Sequence, residues 1–255
     1  MKIFGSDFDN TLLVDDKISV EDKTAIESFR SKGNYFGIIT GRTIGSIITE
    51  LMIHDLECDF IVAGNGAFLA DGKGSSYYSK YINKDDAYEL REYLDQVKPN
   101  SYILHDGYNI ARKVYSEDFK IGQSQKTHTI EQILENDVGG FFINVGSIEK
   151  AAQLVNHMAH LFPNVEIHQN LSYVDITAAG VNKANGIQKL SNLIKSDDIW
   201  VIGDAENDMS MLASYNSFAV SWADEKVKNE AEFIVSSVSE GIKVVDAYGS
   251  KSIDG

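Results

Sequence analysis

One cysteine, Cys58, stands in a chain of 255 residues, which excludes an internal disulfide and fits a reducing compartment. Its setting, "LECDFIVA", reads as that of a buried structural thiol. Basic residues are scarce: 23 Lys and Arg stand against 38 Asp and Glu, for a net charge of −15. No run of cations is present to grip a phosphate backbone, which excludes nucleic acid as a partner. An anionic ligand must then be held locally, by a few placed cations and helix N-termini. No apolar stretch approaches the ~18 residues of a membrane span, and no basic segment followed by an apolar one marks a secretory signal. The expected location is cytoplasmic, with no membrane partner. Repeats and low-complexity tracts are missing too, and only the tail "YGSKSIDG" reads as frayed. What is there is 43% apolar residues, enough for one large domain or two modest ones.

The chain begins in a regular rhythm. "KIFGSDF" reads as a short buried strand. A helix follows in "ISVEDKTAIESFRSKG", with Ser19 and Asp22 in capping-box spacing and Gly33 as its stop. "YFGIIT" is a second strand, ended by Gly41. Ile44, Ile47, Ile48 and Leu51 then mark an amphipathic helix. "DFIVAGNGAFLAD" gives a third strand, a turn at Asn65-Gly66 and a short return strand. Strands alternating with helices imply parallel pairing. Between residues 82 and 178 the rhythm changes to helix, two strands, helix, strand, helix, two strands, an α+β pattern with a hairpin at Gly107-Tyr108-Asn109. The alternation then resumes through "NGIQKLSNLI", "IWVIG", "MSMLASY", "FAV", a helix from about Asp224, "FIV" and a last helix. The expected fold is α/β, a doubly wound, mostly parallel sheet, with 1–81 and 179–255 as its two parts and 82–178 inserted. The two ends of the insertion make a natural hinge.

The stretch "FGSDFDNTL" raises the question of function. Asp7 and Asp9 place like charges one residue apart, which is unfavourable unless a cation or a reaction needs both. An ordinary turn is the plain alternative. The other core strands decide between them, because ligands of open α/β sheets sit outside the carboxyl ends of the strands. The second strand ends in Thr40-Gly41-Arg42, the third in Gly64-Asn65-Gly66, and "IWVI" in Gly203-Asp204-Ala205-Glu206-Asn207-Asp208. Lys183 stands just before a helix that returns the chain to the core. Asp7, Asp9, Asp204 and Asp208 outweigh Lys183 and Arg42, an excess suited to a hard divalent cation, Mg²⁺ with substrate phosphate or a structural Ca²⁺. At i and i+2 on an extended segment both aspartates point the same way. One can attack phosphorus while the other exchanges a proton with the leaving oxygen.

"DFDNTL", "TGR", Lys183 in "VNKANG" and "GDAENDM" resemble the four motifs of the haloacid dehalogenase superfamily, and "AGNGAFL" is similar to a segment of its Cof-type, subclass IIB phosphatases. The resemblance spans essentially the whole chain. It implies a Rossmann-like core with an inserted α+β cap domain, and a Mg²⁺-dependent phosphatase of small phosphorylated metabolites such as sugar phosphates. It also implies roles. Asp7 is the nucleophile that forms an aspartyl-phosphate, and Asp9 the acid and base. Thr40 and Lys183 hold the phosphoryl group, with Gly41, Arg42, Asn65 and Gly66 lining its pocket. Asp7, the carbonyl of Asp9, and Asp204 hold Mg²⁺, with Asn207 and Asp208 completing or bracing the shell. Asn10 and Ala184 replace glycines frequent in relatives, and Asn tolerates the positive φ that glycine provides. Alternatives are a phosphotransferase or mutase on the same fold, and a receiver-type signalling module, against which the large insertion and the D-x-D after the first strand both speak.

Other polar residues have plainer readings. His157 and His160 lie opposite a helix face of Ile148, Ala151, Ala152, Val155, Met158, Ala159 and Phe162, so they belong to a solvated surface. Arg42 either binds phosphate or pairs with a carboxylate. His105 and His128 of the insertion are expected to be ordinary surface histidines, and Tyr108, Arg112 and Lys113, on or after its hairpin, are candidates for substrate specificity. Glu206 reads as a helix N-terminal acid.

Overall fold

The computed structural model describes residues 1–116 and 127–250. In chain order its first part contains β1 (Ile3–Asp7), α1 (Val20–Ser31), β2 (Tyr35–Ile39), α2 (Ile44–Ile53), β3 (Phe60–Ala63), β4 (Phe68–Asp71) and β5 (Ser76–Ser79). The middle holds α3 (Lys84–Val97), β6 (Ser101–His105), β7 (Ile110–Val114), β8 (Thr127–His128), α4 (Ile130–Glu135), β9 (Gly140–Asn144), α5 (Ile148–Leu161), β10 (Val165–Asn170) and β11 (Tyr173–Ala178). The last part is α6 (Lys183–Ile194), β12 (Ile199–Gly203), α7 (Met209–Leu212), β13 (Asn216–Val220), α8 (Glu225–Lys228), β14 (Phe233–Val235) and α9 (Val238–Ser250).

Among the described residues, eight strands form the core sheet in the order β14-β13-β12-β1-β2-β3-β4-β5. All pairs from β14 to β3 are parallel, and β4 and β5 run back antiparallel at the edge. From β1 the chain steps outward through β2 and β3; from β12 it steps the other way. The winding direction reverses between β1 and β12, the switch point at which ligands of such sheets bind. Strand alternation gives the sheet two buried faces. Phe4 points to one, against the rings of Phe29, Phe36 and Phe218, where α1 packs beside α9. Val62 points to the other, against Gly186 of α6.

The insertion is an α+β cap. Its sheet has the order β10-β11-β9-β6-β7-β8, antiparallel except for the β7–β8 pair. Tyr102, Leu104, Phe141, Ile143, Val174 and Ile176 make one face apolar and buried. The inner sides of the cap helices supply Leu90, Leu94, Ile133, Leu154 and Met158 to the same core. Two chain segments join cap and core side by side: Lys80 Nζ donates to the carbonyl of Ala179 at 2.5 Å, and Gly180 N–H to Glu166 Oε1 at 2.9 Å.

The cap also docks on the N-terminus of α2. Ile44 N–H donates to the Gly107 carbonyl at 2.8 Å, and Tyr108 OH to the Gly74 carbonyl at 2.8 Å. Gly45 makes the approach possible, since a Cβ there would lie 2.5 Å from the Tyr108 carbonyl oxygen. Gly45→Ala is therefore expected to push the 106–109 turn away. Amide hydrogen exchange at Ile44 should accelerate at least tenfold while the strands of both sheets keep their protection; unchanged exchange at Ile44 would show that the turn rests elsewhere.

The structure departs from the sequence reading in several places. Ser19 caps α1 through the Asp22 N–H, but the Asp22 carboxylate reaches forward to Ser239 N–H at 2.7 Å instead of back to the cap backbone. Half of the expected capping box thus ties α1 to α9. The edge strand β5 was hidden by its polar, tyrosine-rich sequence. "MSMLASY" yields only the single turn α7. On α5 the buried residues are Ala151, Leu154 and Met158, while Ile148 is exposed; His157 and His160 are exposed as expected. Helix α9 carries the chain through Ser250, and the rest of the tail expected to fray, 251–255, lies outside the described residues. Cys58 is buried, and burial pushes its thiol up to about 12, so it stays protonated.

Candidate active site

The site is assembled where the central strands end. Asp7 is the last residue of β1 and Asp204 follows β12, its immediate neighbour in the sheet. Oxygens of Asp7, Asp204 and Asp208 come within 4.8 Å of one another. Lys183, 1% exposed, is the first residue of α6 rather than the residue before it; Asn182 takes the cap position by accepting from Asn185 N–H. The Lys183 ammonium donates to Asp7 Oδ1 at 2.6 Å and also to Asp208 Oδ1.

Three carboxylates around one ammonium leave an excess of negative charge. Burial and then the neighbouring Asp208 raise the Asp7 carboxyl well above the usual carboxylate range, with Lys183 opposing them. The same two causes push Asp204 up to about 6. Burial by itself lowers the pKa of Lys183, but Asp208 and Asp7 more than offset it and hold the amine charged. Asp208 is fully engaged: its second oxygen accepts from the N–H groups of Asp204 and Ala205, both at 3.0 Å. Gly203 permits this fold-back, because a Cβ there would sit 2.5 Å from the Asp208 carboxyl carbon. Thr11 Oγ1 donates to Asp204 Oδ1 at 2.8 Å. Asp7 and Asp204 therefore present the free carboxylate oxygens, while Asp208 fixes Lys183 and the 204–208 turn.

A second set of residues meets beside the first. Thr40 is buried; its hydroxyl oxygen accepts from Arg42 N–H at 3.0 Å, and its carbonyl accepts from Asn65 N–H at 3.0 Å. Asn65 has φ 53°, a left-handed turn that leaves its side chain against Gly41 and aimed at the cap. Its Nδ2 donates to Asp175 Oδ2 of β11 at 3.1 Å, and its Oδ1 accepts from Asn207 Nδ2 at 3.3 Å. Gly66 follows in the same turn.

Asp9 is where geometry and sequence reading part. The extended segment stops at Asp7: Phe8 is buried, Asp9 forms an isolated bridge with Leu13, and Asn10 takes φ 57°. The same-side rule for i and i+2 therefore does not carry to Asp9. Its carboxylate is gripped by Arg42, through Nη2 at 2.6 Å and Nε at 2.9 Å, and Arg42 Nη1 is held by Glu50 at 2.6 Å. The structure thus gives Arg42 a carboxylate partner. Asn207 sits with Asn65, and Glu206 pairs with Lys226 on the surface. Of the cap candidates, Tyr108 serves docking and Lys113 pairs with Asp95. His105 is fully buried, and burial lowers its pKa to about 4. Thr11, Glu50 and Asp175 were not singled out from sequence. Thr11 lies inside the D-x-D-x-T run, and Asp175 and Thr177 interrupt a strand whose alternate residues are apolar, the available signal for a polar sheet face.

Residues 4–245 match the haloacid dehalogenase-like hydrolases, and the chain belongs to that family. Among its relatives is the 5-amino-6-(5-phospho-D-ribitylamino)uracil phosphatase YbjI of Escherichia coli, 26% identical over 91% of this chain and 90% of YbjI. The Bacillus subtilis phosphatase YitU, of the same description, is 26% identical over 81% of each chain. Similar folds are the subclass IIB sugar phosphatase BT4131, with TM-score 0.80, 22% identity and coverage of 98% and 99% of the two chains, and a putative HAD/COF-like hydrolase of Plasmodium vivax, with TM-score 0.82, 26% identity and coverage of 97% and 96%. The chain is a phosphatase-type hydrolase of this family, with a fold like those of the subclass IIB and HAD/COF-like proteins. Among the described residues no helix is long and apolar enough to cross a membrane.

Proposed function

We propose that the chain is a Mg²⁺-dependent phosphatase of small phosphorylated metabolites that works through an aspartyl-phosphate, with 82–178 as the mobile cap over 1–81 and 179–255. The observation that carries this reading is the convergence of Asp7, Asp204 and Asp208 around Lys183 at the switch point. This donor set suits a hard divalent cation, since the carboxylates outnumber the ammonium and repel one another. Asp7 and Asp204 would hold it, with the carbonyl of Asp9 nearby and Asp208 and Asn207 bracing the turn. Bound there, the cation neutralises phosphate charge.

The chain's own residues do the rest. Asp7 Oδ attacks phosphorus, the bond to the leaving oxygen breaks, and that oxygen takes a proton from Asp9, which is released from Arg42 and carries that proton into the step. Asp9 then accepts a proton from water, which attacks the phosphorus and frees Asp7 and inorganic phosphate. Lys183 orients Asp7 and offsets the phosphoryl charge. Thr40, whose hydroxyl proton no described residue accepts, donates to a phosphoryl oxygen, and Gly41, Asn65 and Gly66 shape the wall. Arg42 holds Asp9 until substrate arrives. The ribityl phosphates named for YbjI and YitU make phosphorylated polyols natural first substrates.

Phosphate release from a panel of monoesters, with Mg²⁺ and then with EDTA, tests this reading. Release that EDTA abolishes is expected. An isomerised sugar phosphate without free phosphate would instead identify a mutase, and release indifferent to EDTA would sever the carboxylates from the cation.

Stability supplies an independent check. The folded pKa of Asp204, about 6, lies above the ordinary value near 4, so protonation favours the fold. That contribution is complete below about pH 4 and is lost as pH rises through 6. Mg²⁺ restores it by binding the ionised form. The rise in melting temperature with millimolar Mg²⁺ should therefore be larger at pH 7.5 than at pH 5.5, and a pH-independent rise would place the ion elsewhere.

A further inference from the structure

The turn that carries Asp9 away from β1 is held from within and from three sides. Within it, Asn10 N–H donates to the Leu13 carbonyl at 2.9 Å, and the Leu12 and Leu13 N–H groups donate to the Phe8 carbonyl at 3.1 and 2.8 Å. The outer contacts come from neighbouring strand ends on both flanks of β1. Arg42, after β2, grips the Asp9 carboxylate. Thr11 reaches Asp204, after β12. From after β13, the Trp222 indole N–H donates to the Asn10 carbonyl at 2.8 Å, the one donor that carbonyl has among the described residues.

The loop that bears Trp222 is built to place it. Ser221 N–H donates to the carbonyl of Val235, at the end of β14, at 2.8 Å. Ala223 N–H donates to the carbonyl of Val220, at the end of β13, at 3.0 Å. Val220, Ala223 and Val235 are buried, while Trp222 itself is 47% exposed. Residues 220–223 thus form a tight turn fixed to two strand ends, and the indole stands on a rigid base with half its ring in water.

The reaction asks different things of the three outer contacts. Asp9 has to bring a proton to the leaving oxygen, and a carboxylate gripped by a guanidinium stays ionised, so Arg42 must let go. Asp204 is one of the carboxylates that would hold the cation, so its bond to Thr11 competes with that task. The indole bond falls on a main-chain carbonyl, and no step of the reaction breaks it. Asn10 stands at φ 57°, a region that L residues populate sparsely even though Asn tolerates it best. The turn therefore needs outside support once Arg42 has gone.

We propose that Trp222 is a positioning residue, whose indole N–H keeps the 8–13 turn in place while Arg42 releases Asp9. Asp9 then meets the leaving oxygen, and afterwards the water, in one geometry. The proposal rests on the phosphatase reading. As the bond from phosphorus to the leaving oxygen breaks, the proton on Asp9 Oδ passes to that oxygen; the indole exchanges no proton. Its help matters in proportion to the need for that proton. An alkoxide leaves only when protonated, whereas p-nitrophenolate is stable as an anion and leaves without a proton.

Ribitol 5-phosphate and p-nitrophenyl phosphate therefore read the role. Trp222→Phe keeps an aromatic ring and removes the N–H. Its loss in kcat/KM should be at least about tenfold larger on ribitol 5-phosphate than on p-nitrophenyl phosphate, since a misplaced group can cost ~100-fold. In an Asp9→Asn background the same substitution should add no loss that depends on the leaving group, because the acid it positions is absent. The Asn10, Leu12 and Leu13 amides should exchange hydrogen several-fold faster in Trp222→Phe, while those of β13 keep their protection. Equal losses on both esters, a leaving-group dependence that persists without Asp9, or unchanged exchange in the turn would overturn the positioning role and leave the phosphatase reading intact. If the wild type releases no phosphate from either ester and Trp222→Phe still loosens the turn, the phosphatase reading falls and Trp222 stays as the anchor. No phosphate and unchanged exchange would overturn both.

Discussion

Asp7→Asn is expected to lower phosphate release by at least ~10⁴-fold, the scale on which loss of a nucleophile is felt, while raising the melting temperature of the metal-free protein. The two effects have one cause. Asp7 is buried beside Asp208 and Asp204, and its carboxyl is held well above the usual range, so its charge is a liability to the fold and an asset to the reaction. Asparagine keeps the shape and an oxygen that can accept from Lys183, and it removes the repulsion. For a chain of this size each kcal/mol recovered is worth about 2–4 °C. Scanning calorimetry without metal, beside a phosphate-release assay, checks both halves. Substantial residual turnover would mean that another group attacks phosphorus. An unchanged or lower melting temperature would mean that Lys183 alone already balances the site.

Lys183→Met should have the opposite signature, with activity and stability lost together. Methionine matches much of the lysine side chain's length, yet it leaves Asp7 and Asp208 buried without their cation. Breaking a buried ion pair from one side costs roughly 3–5 kcal/mol. The penalty falls on ionised Asp7, whose carboxyl burial already holds well above the usual range, so it should be larger at pH 8 than at pH 5.5, where protonation relieves it. Denaturant unfolding at the two pH values reads this directly. A loss independent of pH would assign the effect to packing around α6 instead.

Much of this cluster was legible in the sequence because its residues stand at strand ends. Asp7, Thr40, Asn65 and Asp204 each follow an apolar run, and the alternation of strands and helices was enough to bring those ends to one edge. Lys183 was legible too, though it opens its helix instead of preceding it. What could not be read were contacts that depend on how a tight turn or a second sheet is set. Asp9 leaves the strand at a φ-positive turn, so no periodicity could have told that Arg42 holds it. Asp175 lies about 110 residues beyond its partner Asn65 in the chain, and the polar stripe on β11 announces a face without saying what it faces. The edge strand β5 failed for the reverse reason: its serines and tyrosines lack the apolar alternation that marks buried strands.

The seam on which the site is built has a consequence for the order in which the protein forms. Ile3 of β1 pairs with Ile199 of β12, so the middle of the core sheet joins the two ends of the chain around the whole cap. Contacts of that span close slowly. The cap strands pair within one contiguous stretch and complete their sheet by Ala178, before the chain has supplied Lys183, Asp204 or Asp208. During synthesis the strands of the cap sheet are thus all supplied first, and the pairing of β1 with β12 then brings Asp204 to Asp7. A nascent chain stopped short of β12 has the cap strands and lacks Asp204 and Asp208, so the carboxylate cluster around Lys183 cannot yet close.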